Sequence, residues 1–149
     1  MKISVSDGLL SCWIANQSIS SSGVALDDVP ELTDQTYLPG GMTALYDAIA
    51  EGVRLADNDK TEDERVICVI MTDGEENSSR ETTEDQVKDI ISGQEGRGDW
   101  TFLYIGENPD RWVKDTGMSA HHGLQYQHHA PRDNYMQANI AISHYLRCK

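Results

Sequence analysis

Residues 65–71, Arg-Val-Ile-Cys-Val-Ile-Met, constrain the fold more than any other part of the chain. After Arg65 the run is wholly apolar and largely β-branched. A strand with one wet face alternates apolar and polar residues. A run without alternation belongs to a strand covered on both faces, as in a parallel sheet. The run stops abruptly at Thr72-Asp73-Gly74-Glu75-Glu76-Asn77, so the covering layers come from elsewhere in the chain.

The flanking segments supply them. Leu45, Ala48, Ile49, Gly52, Val53 and Ala56 recur at helical spacing, and Thr43 stands where an N-cap would. Thr83 and Gln86 match a capping box, followed by Val87, Ile90 and Ile91 on one face, with an end near Gly93. Trp100 to Ile105 reads as the next strand. Asn108-Pro109-Asp110 reads as a helix start, and that helix carries Trp112 and Val113 and stops at Gly117. Leu124 to Gln127 reads as a short last strand, and Asp133 or Asn134 opens a final helix. Nearer the start, Leu9 to Leu26 reads as a hairpin turning at the Ser-rich stretch before Gly23. The expected fold is α/β: a doubly wound, mainly parallel sheet with helices on both faces. The organisation is one domain over 1–149: a lead-in at 1–8, the hairpin at 9–26 and an alternating core at 43–147.

Charge narrows the partners. Twelve Lys and Arg stand against twenty-five Asp and Glu, a net charge of −13. Nucleic acid and anionic membrane surfaces need clustered positive charge, so neither is an expected partner. No stretch reaches the ~18 apolar residues of a membrane span. The N-terminus lacks the pattern of a signal peptide. The three cysteines, Cys12, Cys68 and Cys148, have no CxxC spacing and suggest neither a disulfide framework nor a zinc site. The expected setting is cytoplasmic.

In parallel sheets ligands bind at the carboxyl ends of strands, which directs attention to Thr72 to Asn77. Asp73 there is a hard oxygen donor of the kind Mg²⁺ takes, with Glu75 and Glu76 beside it. Read alone, it fits a solvated acidic turn better than a metal site. A second segment, Pro39-Gly40-Gly41-Met42-Thr43, places a hydroxyl before an apolar helix; alone, Thr43 fits a simple cap.

Taken together, Leu32 to Ile49 and Val69 to Arg80 resemble the von Willebrand factor A (vWA) family, in its intracellular, prokaryotic type. The likeness continues through Thr82 to Val87 and Trp100 to Asn108 and covers about three-quarters of the chain. It implies a doubly wound sheet with a metal-ion-dependent adhesion site (MIDAS) at its carboxyl edge. That site combines an Asp-x-Ser-x-Ser, a Thr before a helix and an Asp after a central strand. By the resemblance Thr43 and Asp73 are the second and third parts, and a protein partner's carboxylate completes the metal's shell.

The first part is absent. Asp7-Gly8-Leu9-Leu10-Ser11 comes nearest, but Leu9 stands where a ligand hydroxyl is needed. On this reading residues 1–8 are an unrelated lead-in or the tail of the family's first helix, and the domain is N-terminally incomplete. A missing central strand leaves its neighbour's edge exposed to another chain. Mg²⁺ wants about six oxygens. Two from protein imply weak binding, with water supplying most of the rest.

Several other residues have bland and functional readings. His121-His122 and His128-His129 fit a nickel or zinc site less well than a solvated loop. Trp100 and Trp112 fit packing better than binding platforms. Tyr37 fits the metal edge or loop packing equally, while Glu107 and Asn108, after the second strand, fit a solvated acid and a helix cap better than a border of the ligand edge.

The leading function is therefore a protein-binding module with an incomplete site of Thr43 and Asp73 and Mg²⁺ weak or absent, not an enzyme. Two alternatives stand beside it. One is a metal-dependent phosphotransfer or hydrolytic enzyme, for which no supporting motif is present. The other is a non-functional truncated fragment.

Overall fold

Strand β4, Val66–Met71, lies inside a six-stranded sheet of order β3-β2-β1-β4-β5-β6. The remaining strands are β1 (Lys2–Ser6), β2 (Leu9–Trp13), β3 (Val24–Ala25), β5 (Trp100–Gly106) and β6 (Gly123–Gln125). Helices α1 (Leu45–Asp59), α2 (Glu84–Gly96) and α3 (Pro109–Thr116) lie between and beside these strands in the chain. The structure is a computed structural model. It describes residues 2–6, 9–13, 24–25, 42–72, 76–119, 123–125, 127, 129–130, 132–133, 136–137 and 140–143.

The two faces of β4 explain its composition. Val66, Cys68 and Ile70 join Trp100, Phe102 and Tyr104 of β5 beneath α1, α2 and α3. Ile67 and Val69 join Leu103 and Ile105 on the opposite face, where Leu124, Ala141 and Ile142 pack against them. Both faces are dry, so no position in the run tolerates a polar side chain. Cys68 is fully buried and packs as a small apolar residue.

Three strands, β4, β5 and β6, are parallel, with Val66 opposite Trp100 and Tyr104 opposite Gly123. The other half is antiparallel, so the sheet is mixed rather than mainly parallel. The β4–β5–β6 connections step in one direction across the sheet. Crossovers of one hand that step one way lay their helices on one face. Accordingly α2 and α3 share the first core with α1.

Residues 2–6 are a strand, not the tail of a helix. Their alternation, Lys-Ile-Ser-Val-Ser, suits a pleated chain, and β1 runs antiparallel to both β2 and β4. Ile3 faces Val69 and Val5 faces Ile67 across the ladder. The β4 edge expected to be exposed is therefore paired. Strands β2 and β3 pair antiparallel, Leu9 with Ala25 and Leu10 with Val24, within the segment read as a hairpin.

The capping box forms as read. The Thr83 hydroxyl accepts from Gln86 N–H at 3.3 Å, and Gln86 Oε1 accepts from Thr83 N–H at 2.8 Å. Helix α2 runs past Gly93 to Gly96. Strand β6 begins one residue before Leu124, and residues 132–133, 136–137 and 140–143 are helical. Among the described residues no helix is long and apolar enough to cross a membrane.

Ile91 is fully buried between α2 and the sheet. Ile91→Ala is expected to cost about 2–5 kcal/mol, through lost burial plus the cavity left behind. In urea unfolding the midpoint should fall while the slope stays unchanged.

Candidate functional site

Strands β4 and β5 are parallel and end at the same edge, where Thr72 N–H extends the ladder to Ile105 C=O at 3.0 Å. Beyond β4, residues 76–82 turn back over the start of α1. Two sequence-distant segments are joined there by hydrogen bonds.

A helix start exposes backbone N–H groups that need acceptors. The N-cap residue of α1 is Ala44, which has no side-chain oxygen, so Thr43 is not the cap. The acceptors come from the loop instead. Tyr46 N–H donates to Glu76 Oε2 at 2.9 Å, and Asp47 N–H to the Ser79 hydroxyl at 3.2 Å. Glu76 is held in turn: its Oε1 accepts from Ser78 N–H at 2.8 Å and Ser79 N–H at 2.7 Å. The Ser79 hydroxyl donates to its Oε2 at 2.7 Å.

The helix reciprocates. The Asp47 carboxylate accepts from Arg80 N–H at 2.9 Å, Glu81 N–H at 3.1 Å and Thr82 N–H at 2.7 Å. Thr43 N–H donates to Asn77 Oδ1 at 2.8 Å, and Asn77 N–H donates to Thr43 C=O at 3.1 Å. The half-buried Thr43 is thereby fixed against the loop that follows β4.

Burial pushes the Asp47 carboxyl up, but the N–H groups of Arg80, Thr82 and Glu81 outweigh it and leave it below its ordinary value. Glu76 shows the same balance. Burial raises it, and the Ser79 N–H and hydroxyl, with the N–H groups of Tyr46 and Ser78, bring it below the ordinary value. Both stay ionised, and their oxygens are engaged by backbone donors. Neither is a spare metal ligand.

Of the two residues that the family resemblance assigns to a metal, Thr43 stands at this rim. Asp73, with Gly74 and Glu75, lies outside the described residues. An alcohol and a carboxylate suit Mg²⁺ chemically, but most of an octahedral shell would be water. Among the described residues no group of three or more His, Cys, Asp and Glu converges.

At the end of β5, Glu107 is half-buried, while Asn108 takes the N-cap position of α3 in a left-handed conformation (φ 50°) without a side-chain bond. Trp100 is core, 3% exposed. Trp112 stacks on Tyr104 with ring centroids 4.7 Å apart and lies 6.0 Å from Tyr46 at a tilt. Tyr104 OH donates to Glu107 C=O at 3.2 Å. A Cβ on Gly106 would strike the Tyr104 ring, so the glycine lets that ring fold back over the strand end. His129 is exposed; Tyr37, His121, His122 and His128 lie outside the described residues.

Sequence reasoning missed Glu76 and Ser79 as caps because their partners lie about thirty residues away. It also missed the clustering of Tyr46, Tyr104 and Trp112, which come from three separate elements. Comparison with protein-family models, with curated proteins and with solved structures finds no match to the chain.

Because Asp47 and Glu76 have lowered values, the unfolded chain takes up their protons first as pH falls. Their stabilisation is present above about pH 4 and is lost as pH drops through the lowered folded-state values. Asp47→Asn should cost about 1–3 kcal/mol at neutral pH. It should also flatten the acid limb of the stability–pH curve below about pH 4, as measured by urea unfolding at each pH.

Proposed function

We propose that the chain is a vWA-like, doubly wound protein-binding module that engages a partner at the carboxyl edge of β4 and β5. It acts by binding, with no catalytic step, in a cytoplasmic setting. Its MIDAS-like site is incomplete: Thr43 and Asp73 hold Mg²⁺ weakly. When bound, the cation supplies an open coordination position that a partner's carboxylate fills. Ala141 and Ile142, packed on the face of the sheet away from α1–α3, favour the doubly wound reading.

The observation that carries the proposal is the reciprocal bonding of Thr43 with Asn77. Thr43 lies in one family-like segment and Asn77 in the other, and the two meet at one rim. The Glu76 and Asp47 bonds make that rim rigid before any cation arrives, so little ordering is needed on binding.

Titration calorimetry with MgCl₂ tests it. Binding on the order of millimolar is expected, as for a site with few protein ligands. Thr43→Val and Asp73→Ala should each abolish the heat, and Asp73→Ala should lose a partner in pulldown. No Mg²⁺ heat, together with an unchanged set of pulldown partners for Asp73→Ala, would contradict the proposal.

A further inference from the structure

Residues 76–82, Glu-Asn-Ser-Ser-Arg-Glu-Thr, carry no aliphatic, methionine or aromatic side chain. Among the described residues, what holds this segment is a set of hydrogen bonds to one short stretch, Thr43 to Asp47. Asn77 bonds Thr43 in both directions. The Glu76 carboxylate accepts from Tyr46 N–H, and the Ser79 hydroxyl accepts from Asp47 N–H. The N–H groups of Arg80, Glu81 and Thr82 converge on the Asp47 carboxylate. The segment also braces itself, with Ser78 N–H, Ser79 N–H and the Ser79 hydroxyl all donating to Glu76. Its neighbours are anchored differently. Leu45 and Ile49 hold α1 in the first core, and Val87 holds α2 there.

We infer that residues 76–82 form a latch that opens from the start of α1 as one unit while both cores stay folded. Lifting the segment takes no large apolar side chain out of the core. It exchanges hydrogen bonds for bonds to water, and each such exchange costs little net. Global unfolding exposes both cores as well and costs more.

The bonds open together because they share atoms. Asp47 holds three N–H groups on two oxygens and gives its own N–H to Ser79. Ser79 bonds Glu76, and Glu76 holds Tyr46. Loosening one member releases the next. The carboxyl edge therefore has a latched state, with Thr43 and Asn77 paired, and an open state, with the first N–H groups of α1 facing water. The latch rests on these bonds alone and stands whether or not a cation or a partner binds there.

Amide hydrogen exchange of the whole chain, read residue by residue by NMR without added cation or partner, tests the latch. The amides of Thr43, Tyr46 and Arg80 to Thr82 should exchange faster than those of the β4–β5 ladder, with a weaker dependence on urea because little surface is exposed. Asp47→Asn should speed the Thr43 and Tyr46 amides, whose acceptors it does not touch, by the same factor of about tenfold as the Arg80 to Thr82 amides. Ser79→Ala, a second variant, should likewise speed Arg80 to Thr82, which bond Asp47 and not Ser79. Ile91→Val should speed the ladder amides about fivefold and leave the latch amides unchanged. Thr43 and Tyr46 keeping their rates in Asp47→Asn would overturn the inference, because the bonds would then open singly. Latch and ladder amides responding alike to Ile91→Val would also overturn it, because the segment would then open only with the core.

Discussion

The start of α1 depends on acceptors it does not own. Ala44 cannot cap it, so Glu76 and Ser79, from the loop after β4, take the N–H groups of Tyr46 and Asp47. A carboxylate at a helix N-terminus is also favoured by the helix dipole. The Asp47 carboxylate fastens the loop in the other direction. Neither segment is satisfied without the other, and the position of everything nearby follows from that. Thr43 lies just before this turn and Tyr46 within it. One capping arrangement therefore fixes Thr43 and Tyr46 together at the edge where β4 and β5 end.

Local signals in the sequence carried far. The apolar run of β4 announced a strand dry on both faces, and Ile67 and Val69 indeed face a second core opposite Val66, Cys68 and Ile70. The Thr83–Gln86 box lies within four consecutive residues and was legible for that reason. What escaped the sequence is non-local. Residues 2–6 have only Ile3 and Val5 as apolar positions, too few to fix a period, and pairing with β2 and β4 decides that they form a strand. Antiparallel pairing in half the sheet escaped for the same reason. The cap of α1 escaped because its acceptors lie some thirty residues downstream, where a nearby Thr43 offered a plausible local substitute.

Acidic residues at this edge have divided tasks. Asp47 and Glu76 spend their oxygens on backbone donors and hold the scaffold. Glu84, Glu107 and Asp115 line the cleft between α1, the end of β5 and α3. The metal reading then falls to Thr43 and Asp73. On the proposed function, a partner would be recognised at this edge by charge rather than by a large apolar area. Affinity of that kind is expected to depend strongly on salt.

The most direct test of the account asks where a divalent cation sits. Substoichiometric Mn²⁺ in place of Mg²⁺ broadens amide resonances close to it. The account predicts that Thr43 and Asn77 broaden first, together, and recover on addition of excess Mg²⁺. Broadening led instead by the acidic segment Asp57 to Glu64, with Thr43 and Asn77 unaffected, would contradict it.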